Sequence, residues 1–360
     1  MTSRFAPLAT LAAASLLALP ASAGTTAKPR FVTLPNHLNL APHHPASTLA
    51  QWNGSFTDLT HKVINYTMVG TNPSTTNTTT TVQVMLVPIK MIYGSRNGNM
   101  TFDPGTHVLS NGKTVVQNTL NSPLFVAGID FVQGGTDLGT TQYIDAFQRG
   151  NFWSSVSTNS SYHVLLGTPT VLPEQTITVS RSQGNVINNP FGSGKVGTMG
   201  INAFDSKLQT FMRSLTQINP SVLPLFITYD IYLTSGGCCI GGYHSANGAQ
   251  PGGQTYSYAT YVDSAGAFSQ DVSALSHELG EWLDDPFVDN RVNCTDNSIL
   301  EVGDPLEGGP NYGGYPYTLN GFTYNLQSLV FLGYFGAPRS TSVHSWLAFQ
   351  NDESNVCPGQ

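Results

Sequence analysis

The chain has 360 residues, of which 10% are charged, with 14 Lys and Arg against 21 Asp and Glu. A protein that neutralises nucleic-acid phosphates needs clustered basic side chains, so this balance excludes a basic nucleic-acid binder. The acid is concentrated: residues 271–307 carry Asp271, Glu278, Glu281, Asp284, Asp285, Asp289, Asp296, Glu301, Asp304 and Glu307 against Arg291 alone, which calls for a cation or a solvated acidic face.

In chain order, a charged start at Arg4, an apolar run over residues 5–19 and the small residues Ala21-Ser22-Ala23 read as a secretory signal ending near Ala23. The apolar run contains Pro7 and falls short of the ~20 residues that a membrane span requires. A soluble, exported product, extracellular or periplasmic, is therefore expected. Residues 24–55, rich in Pro, Ala, Thr and His without a period, suggest an extended N-terminal segment in which His43-His44 is simply solvated. The remainder, 56–360, reads as one globular domain.

Within that domain, residues 61–69 and 82–93 have strand character, and the Asn/Thr-rich run 71–81 between them reads as a hairpin loop. Residues 136–156 look helical, with Tyr143, Phe147 and Phe152 or Trp153 on one side, and strands are expected at 163–171 and 176–180. Ile201, Phe204, Leu208, Phe211, Met212 and Leu215 recur at three and four residues, which predicts an amphipathic helix. A buried strand at 225–233, a Gly-rich loop at 236–253, a strand at 255–263 and a helix at 269–283 complete the pattern. Helices alternating with strands predict an α/β (α+β) fold, a mixed β-sheet flanked by helices.

Four cysteines, Cys238, Cys239, Cys294 and Cys357, in an oxidising compartment favour two disulfide bonds. Three pairings are possible, and a bond between the adjacent Cys238 and Cys239 is disfavoured because it strains the intervening peptide. No paired CxxC spacing suggests a cysteine zinc site.

The acidic window contains Ser276-His277-Glu278-Leu279-Gly280-Glu281-Trp282. Val272, Leu275, Leu279 and Trp282 follow helical spacing and form one buried stripe, with Ser269 as N-cap. His277 and Glu281 are four apart and share another face, where two side chains can grip one ion. Glu278 then lies close enough to take a proton from a water that the ion activates. Nine histidines and six glutamates would give HExxH or HExxE by chance with an expectation of roughly 0.006, so coincidence explains the match poorly. No GxSxG elbow supports a serine hydrolase, and the Gly-rich loop lacks the Lys and Ser/Thr of a phosphate-binding loop. Tyr312, Tyr315, Tyr317 and Tyr324 are read as aromatic packing.

The HELGE helix resembles the HExxH helix of zincin metallopeptidases, with Glu281 in place of the second His, and Glu301 stands where thermolysin-like zincins place a third ligand. The resemblance implies a zincin-like active-site helix with His277, Glu281 and Glu301 as metal ligands and Glu278 as catalytic base. Asp304 would be a further ligand or support the histidine. One imidazole and two carboxylates leave zinc favoured, with manganese or calcium as alternatives. Over residues 80–336 the order of Cys238-Cys239-Ile240-Gly241-Gly242-Tyr243-His244, the stretch 258–263, the helix running into Asp285-Pro286-Phe287, and Glu301-Val302-Gly303-Asp304 is also similar to the phosphate-induced, EXORDIUM-like secreted proteins. That similarity implies secretion and cell-wall or extracellular association. His244, which follows the Cys-containing Gly-rich loop, is read either as a further ligand or as a loop histidine bonded to backbone. The combined expectation is a secreted metal-dependent hydrolase, a peptidase acting on peptide or protein, with no nucleic acid and no membrane span. The alternative is a non-catalytic secreted protein with a structural cation.

Overall fold

The computed structural model describes residues 27–360 apart from 43, 45, 46 and 295–297. The expected signal segment and His43 lie outside the described residues. Strand Thr79–Tyr93 is the axis of the main sheet. On one side it pairs in parallel with Val222–Tyr229, which pairs in parallel with Gln254–Tyr261, and Gly242–Asn247 closes that edge in the antiparallel sense. On the other side His163–Leu166, Thr170–Val171 and Gln175–Val179 pair with it in succession, all parallel. The sheet is mixed, as the alternation of elements predicts.

Period-2 alternation explains why both faces are covered. Along the axial strand Val82, Val84 and Leu86 face one core, while Val87, Ile89, Met91 and Tyr93 face the other. Helix Ile201–Ser214 buries Phe204, Leu208 and Met212 on the second face. Helix Ser273–Asp284 buries Leu275, Leu279 and Trp282 on the first. A sheet covered on both sides needs near-continuous apolar strands, and Val222–Tyr229 is one. A second sheet runs Val186–Asn188, Lys195–Gly200, Ile231–Thr234, Cys238–Ile240.

Several expectations are corrected. Val63–Val69 pairs with Gln51–Thr57, not with the axial strand, so residues 71–78 connect two sheets and are no hairpin loop. The strand Gln51–Thr57 also ends the extended N-terminal segment earlier than residue 55. The first third of the expected helix 136–156 is a strand, Thr136–Thr141, turned back on Ile129–Gln133 through Gly134 and Gly135, both at positive φ. The helix starts at Tyr143. At Asp230, with φ 49, the run 225–233 breaks into two strands that belong to different sheets. The Gly-rich stretch 236–253 contains two strands rather than a loop, because its backbone pairs with Ile231–Thr234 and Gln254–Tyr261.

Cys294 pairs with Cys357, and Cys238 pairs with Cys239, the pairing disfavoured from sequence. The Cys238–Cys239 peptide is cis, with the two Cα atoms 3.1 Å apart. Among the described residues no helix is long and apolar enough to cross a membrane.

Candidate metal centre

The helix Ser273–Asp284 packs against Gln254–Tyr261 and the edge strand Gly242–Asn247, and every one of its residues is buried. Its expected Ser269 cap is absent: the helix begins at Ser273 behind Val272, and Ser269 takes φ 62 in the preceding turn. The packing puts His277, Glu278 and Glu281 into a closed space with His244 from the edge strand and Glu301 from the following loop. Gly242 makes the approach possible, since a Cβ there would come within 2.5 Å of Glu278 Oε1.

The hydrogen bonds fix which nitrogens carry protons. His244 Nε2–H donates to the Asp285 carbonyl at 3.0 Å, and a carbonyl can only accept. His244 Nδ1 is therefore the ligand-type nitrogen, and it faces Glu278 Oε2 at 3.6 Å, Glu281 Oε2 at 3.6 Å and Glu301 Oε2 at 3.9 Å. His277 Nδ1 donates to Gln327 Oε1 at 2.5 Å, and the same amide donates from Nε2 to the Gly303 carbonyl at 3.3 Å. His277 Nε2 is thereby left toward Glu281 Oε1 at 3.0 Å and Asp304 Oδ1 at 3.6 Å. Gly303 passes flat beneath this ring, where a Cβ would run into the imidazole. Glu281 Oε1 also accepts the amide N–H groups of Gly303 and Asp304, at 3.1 and 3.3 Å.

Five buried atoms here make no aligned hydrogen bond, His244 Nδ1, His277 Nε2, both oxygens of Glu278, and Glu301 Oε2, and the two nitrogens meet the carboxylates only as ion pairs at 3.0 to 3.9 Å. Buried polar groups are normally paired, so atoms orphaned together and pointing inward fit a cation between them. The spacing agrees. Ligand atoms at ~2.1 Å around a tetrahedral ion lie ~3.4 Å from one another, close to the 3.6 to 3.9 Å around His244 Nδ1. Among the described residues two groups converge within 4.8 Å, His244–Glu281–Glu301 and His277–Glu278–Glu281, with Glu281 common to both. His277 and Glu301 belong to different groups. These buried His and Glu groups could hold a metal ion.

The charges of the bare site point the same way. Burial opposes protonation of His244, yet Glu301, Glu278 and Glu281 hold its pKa well above the ordinary value, and Glu281 does the same for His277. Burial alone would raise Glu281, but the facing imidazoles outweigh it and keep that carboxyl low. Glu278 is lifted to about 8 and Glu301 well above its ordinary value, first by burial. Protons on imidazoles thus stand where an ion would bring positive charge.

Asp304 sits at the rim, 27% exposed, where a cavity of about 340 Å³ opens between Asp304, Glu307, Tyr334, Phe335 and the Cys294–Cys357 bridge. The tyrosines disperse into packing: Tyr312 against Phe191 and Phe268, Tyr317 against Phe131 and Tyr143, Tyr324 onto Asn118. His44 bonds the Arg213 carbonyl at 3.2 Å, away from the site.

Three contributors were invisible in the sequence. Gln327 orients His277, Phe31 stacks on His277 with ring centroids 3.7 Å apart, and the Thr33 hydroxyl donates to Glu301 Oε1 at 3.0 Å. No motif links these positions to the helix. No protein family matches this chain at a significant level, and no curated protein and no solved structure does.

Proposed function

We propose that the chain is a secreted metal-dependent hydrolase of the zincin type that cleaves peptide bonds. The observation that carries this reading is the set of orphaned, buried imidazole and carboxylate atoms gathered around Glu281. His277, Glu281 and Glu301 would hold the ion together with His244, which returns the second imidazole that the HExxE spacing lacks. Two nitrogen donors with carboxylates suit zinc or another transition ion better than calcium, which prefers six to eight oxygens. A bound ion of this kind would lower the pKa of a water and polarise a scissile carbonyl. Glu278, with neither oxygen in an aligned hydrogen bond, takes the proton of the attacking water and passes it to the leaving amine.

Glu278→Gln should keep the metal and lower turnover by ~10²–10⁴-fold, the usual worth of a general base. Elemental analysis followed by a peptide-library digest with and without chelator tests the proposal. Full turnover by the Gln variant would remove Glu278 from the mechanism. A second reading, a structural cation in a non-catalytic secreted protein, is favoured by one observation: the donor side chains are at most 4% exposed, and structural sites are closed. Bound metal with no chelator-sensitive cleavage across the library would select it.

A further inference from the structure

The closure of the site comes from one short segment. Residues 28–37 run past Cys238–Ile240 and Gly242–Asn247, the edge strands of the two sheets, and are pinned at both ends by parallel main-chain pairing. At one end Lys28 N–H bonds the Cys238 carbonyl at 2.9 Å, Cys239 N–H the Lys28 carbonyl at 2.8 Å, Arg30 N–H the Cys239 carbonyl at 3.1 Å, and Gly241 N–H the Arg30 carbonyl at 3.1 Å. At the other, His37 N–H bonds the Ala246 carbonyl at 2.8 Å and Gly248 N–H the His37 carbonyl at 3.1 Å.

Between these clips the chain arches over the donors. Phe31 lays its ring on His277, its N–H donates to Glu307 Oε2 at 2.7 Å, and Thr33 Oγ1 occupies Glu301 Oε1. Asn36 Nδ2 bonds the carbonyls of Gly248 and Phe287, at 3.0 and 3.1 Å. Main-chain bonds to a strand edge combined with one side chain seated in a pocket is how an extended peptide binds by strand addition.

We infer that the edge formed by residues 238–248 and the His277 face of the helix are a polypeptide-binding groove, which residues 28–37 fill in cis. An extended peptide with an aromatic side chain, placed where Phe31 lies, is the class of substrate that competes for it. The inference rests on the proposed hydrolase and removes the tension between a closed site and a catalytic one: the fraction of molecules with the segment lifted sets the apparent affinity for both metal and substrate.

The test uses the full chain and its Phe31→Ala/Thr33→Ala variant, which loses the two side-chain contacts and keeps the backbone clips. After loading with zinc, extraction by excess chelator should be at least about ten-fold faster in the variant, and hydrolysis of unfolded casein should rise by a similar factor, if both await the open fraction. A synthetic peptide of residues 27–40, added in trans, should suppress the gained hydrolysis and slow the extraction again. Truncating the buried Phe31 ring lowers the melting temperature in any case, so reversal by the peptide, which a general loosening would not show, is what separates the two. Equal extraction and turnover in the two proteins, or a gain that the peptide does not reverse, would overturn the groove while leaving the metal site standing. Zinc retained by neither protein would instead overturn the metal site and the groove with it.

Discussion

At the scale of single residues, Glu281 is the side chain on which the site turns. One of its oxygens faces His277 and the other His244, so its loss empties both donor groups. Glu281→Ala should therefore weaken metal binding more than His244→Ala or His277→Ala. Gln327 touches no donor oxygen and acts through the His277 ring. Gln327→Ala should cost ~10–100-fold in metal affinity, the usual effect of losing a partner behind a ligand histidine, measured by competition with a chromophoric chelator. Because both imidazoles hold their protons well above the ordinary histidine range, an ion must displace them. Calorimetry in buffers of different ionisation enthalpy should record about two or more protons released per ion near pH 7, and affinity should climb with pH.

Asp284 lies two turns beyond His277 at the C-terminal end of the same helix, fully buried, with neither carboxylate oxygen in an aligned hydrogen bond, and burial lifts it to about 8. Asp271, pushed to about 7, is its milder counterpart. An acid raised on folding binds protons in the folded chain that it lacks unfolded. Its contribution is intact below the unfolded value near 3.8 and is lost as pH rises toward 7 to 8. The ion-free protein should lose stability over that window through these groups. Asp284→Asn should raise the melting temperature by roughly 2–4 °C at pH 8 and leave it almost unchanged at pH 4.

At the scale of elements, the site helix is held by shape as much as by charge. Gly280 faces Leu329 so closely that a Cβ would collide with its side chain. Gly280→Ala should destabilise the fold by about 1–3 kcal/mol, as overpacking does. It should also weaken metal binding by tilting His277 and Glu281 together, which a denaturant titration beside a metal titration would separate. This helix was legible in the sequence because Leu275, Leu279 and Trp282 repeat at helical spacing, and so was helix Ile201–Ser214. The edge strand Gly242–Asn247 was not. Glycine, serine and asparagine give it little strand propensity, and only pairing with Gln254–Tyr261 makes it one. His244 could be suspected from sequence, but its place beside Glu281 depends on that register. The misread helix at 136–141 has the same cause: a turn at Gly134 and Gly135 set the pairing, and no period in the following threonines marks it.

At the scale of the whole molecule, the two disulfides act differently although both bind cysteine to cysteine. Cys294 and Cys357 are 63 residues apart, and closing a loop of that size stabilises a fold by about 4 kcal/mol on the chain-entropy account. Cys238 and Cys239 are neighbours, and their bond closes no such loop. Cys294→Ser with Cys357→Ser should therefore lower the melting temperature by several degrees, whereas Cys238→Ser with Cys239→Ser should leave the unfolded state as free as before. Scanning calorimetry of the two double variants checks the difference.

The distance in sequence between Phe31 and the residues it covers also orders events in time. Phe31 leaves the ribosome long before His244, His277, Glu301 and Gln327, yet it contacts His277 in the finished fold. Domains fold as units once their parts have been made, so the cover must wait, unpaired, for the donors and their edge strand. A growing chain consequently carries neither an assembled ion site nor a filled groove, and the two come into being together only after synthesis has passed Gln327.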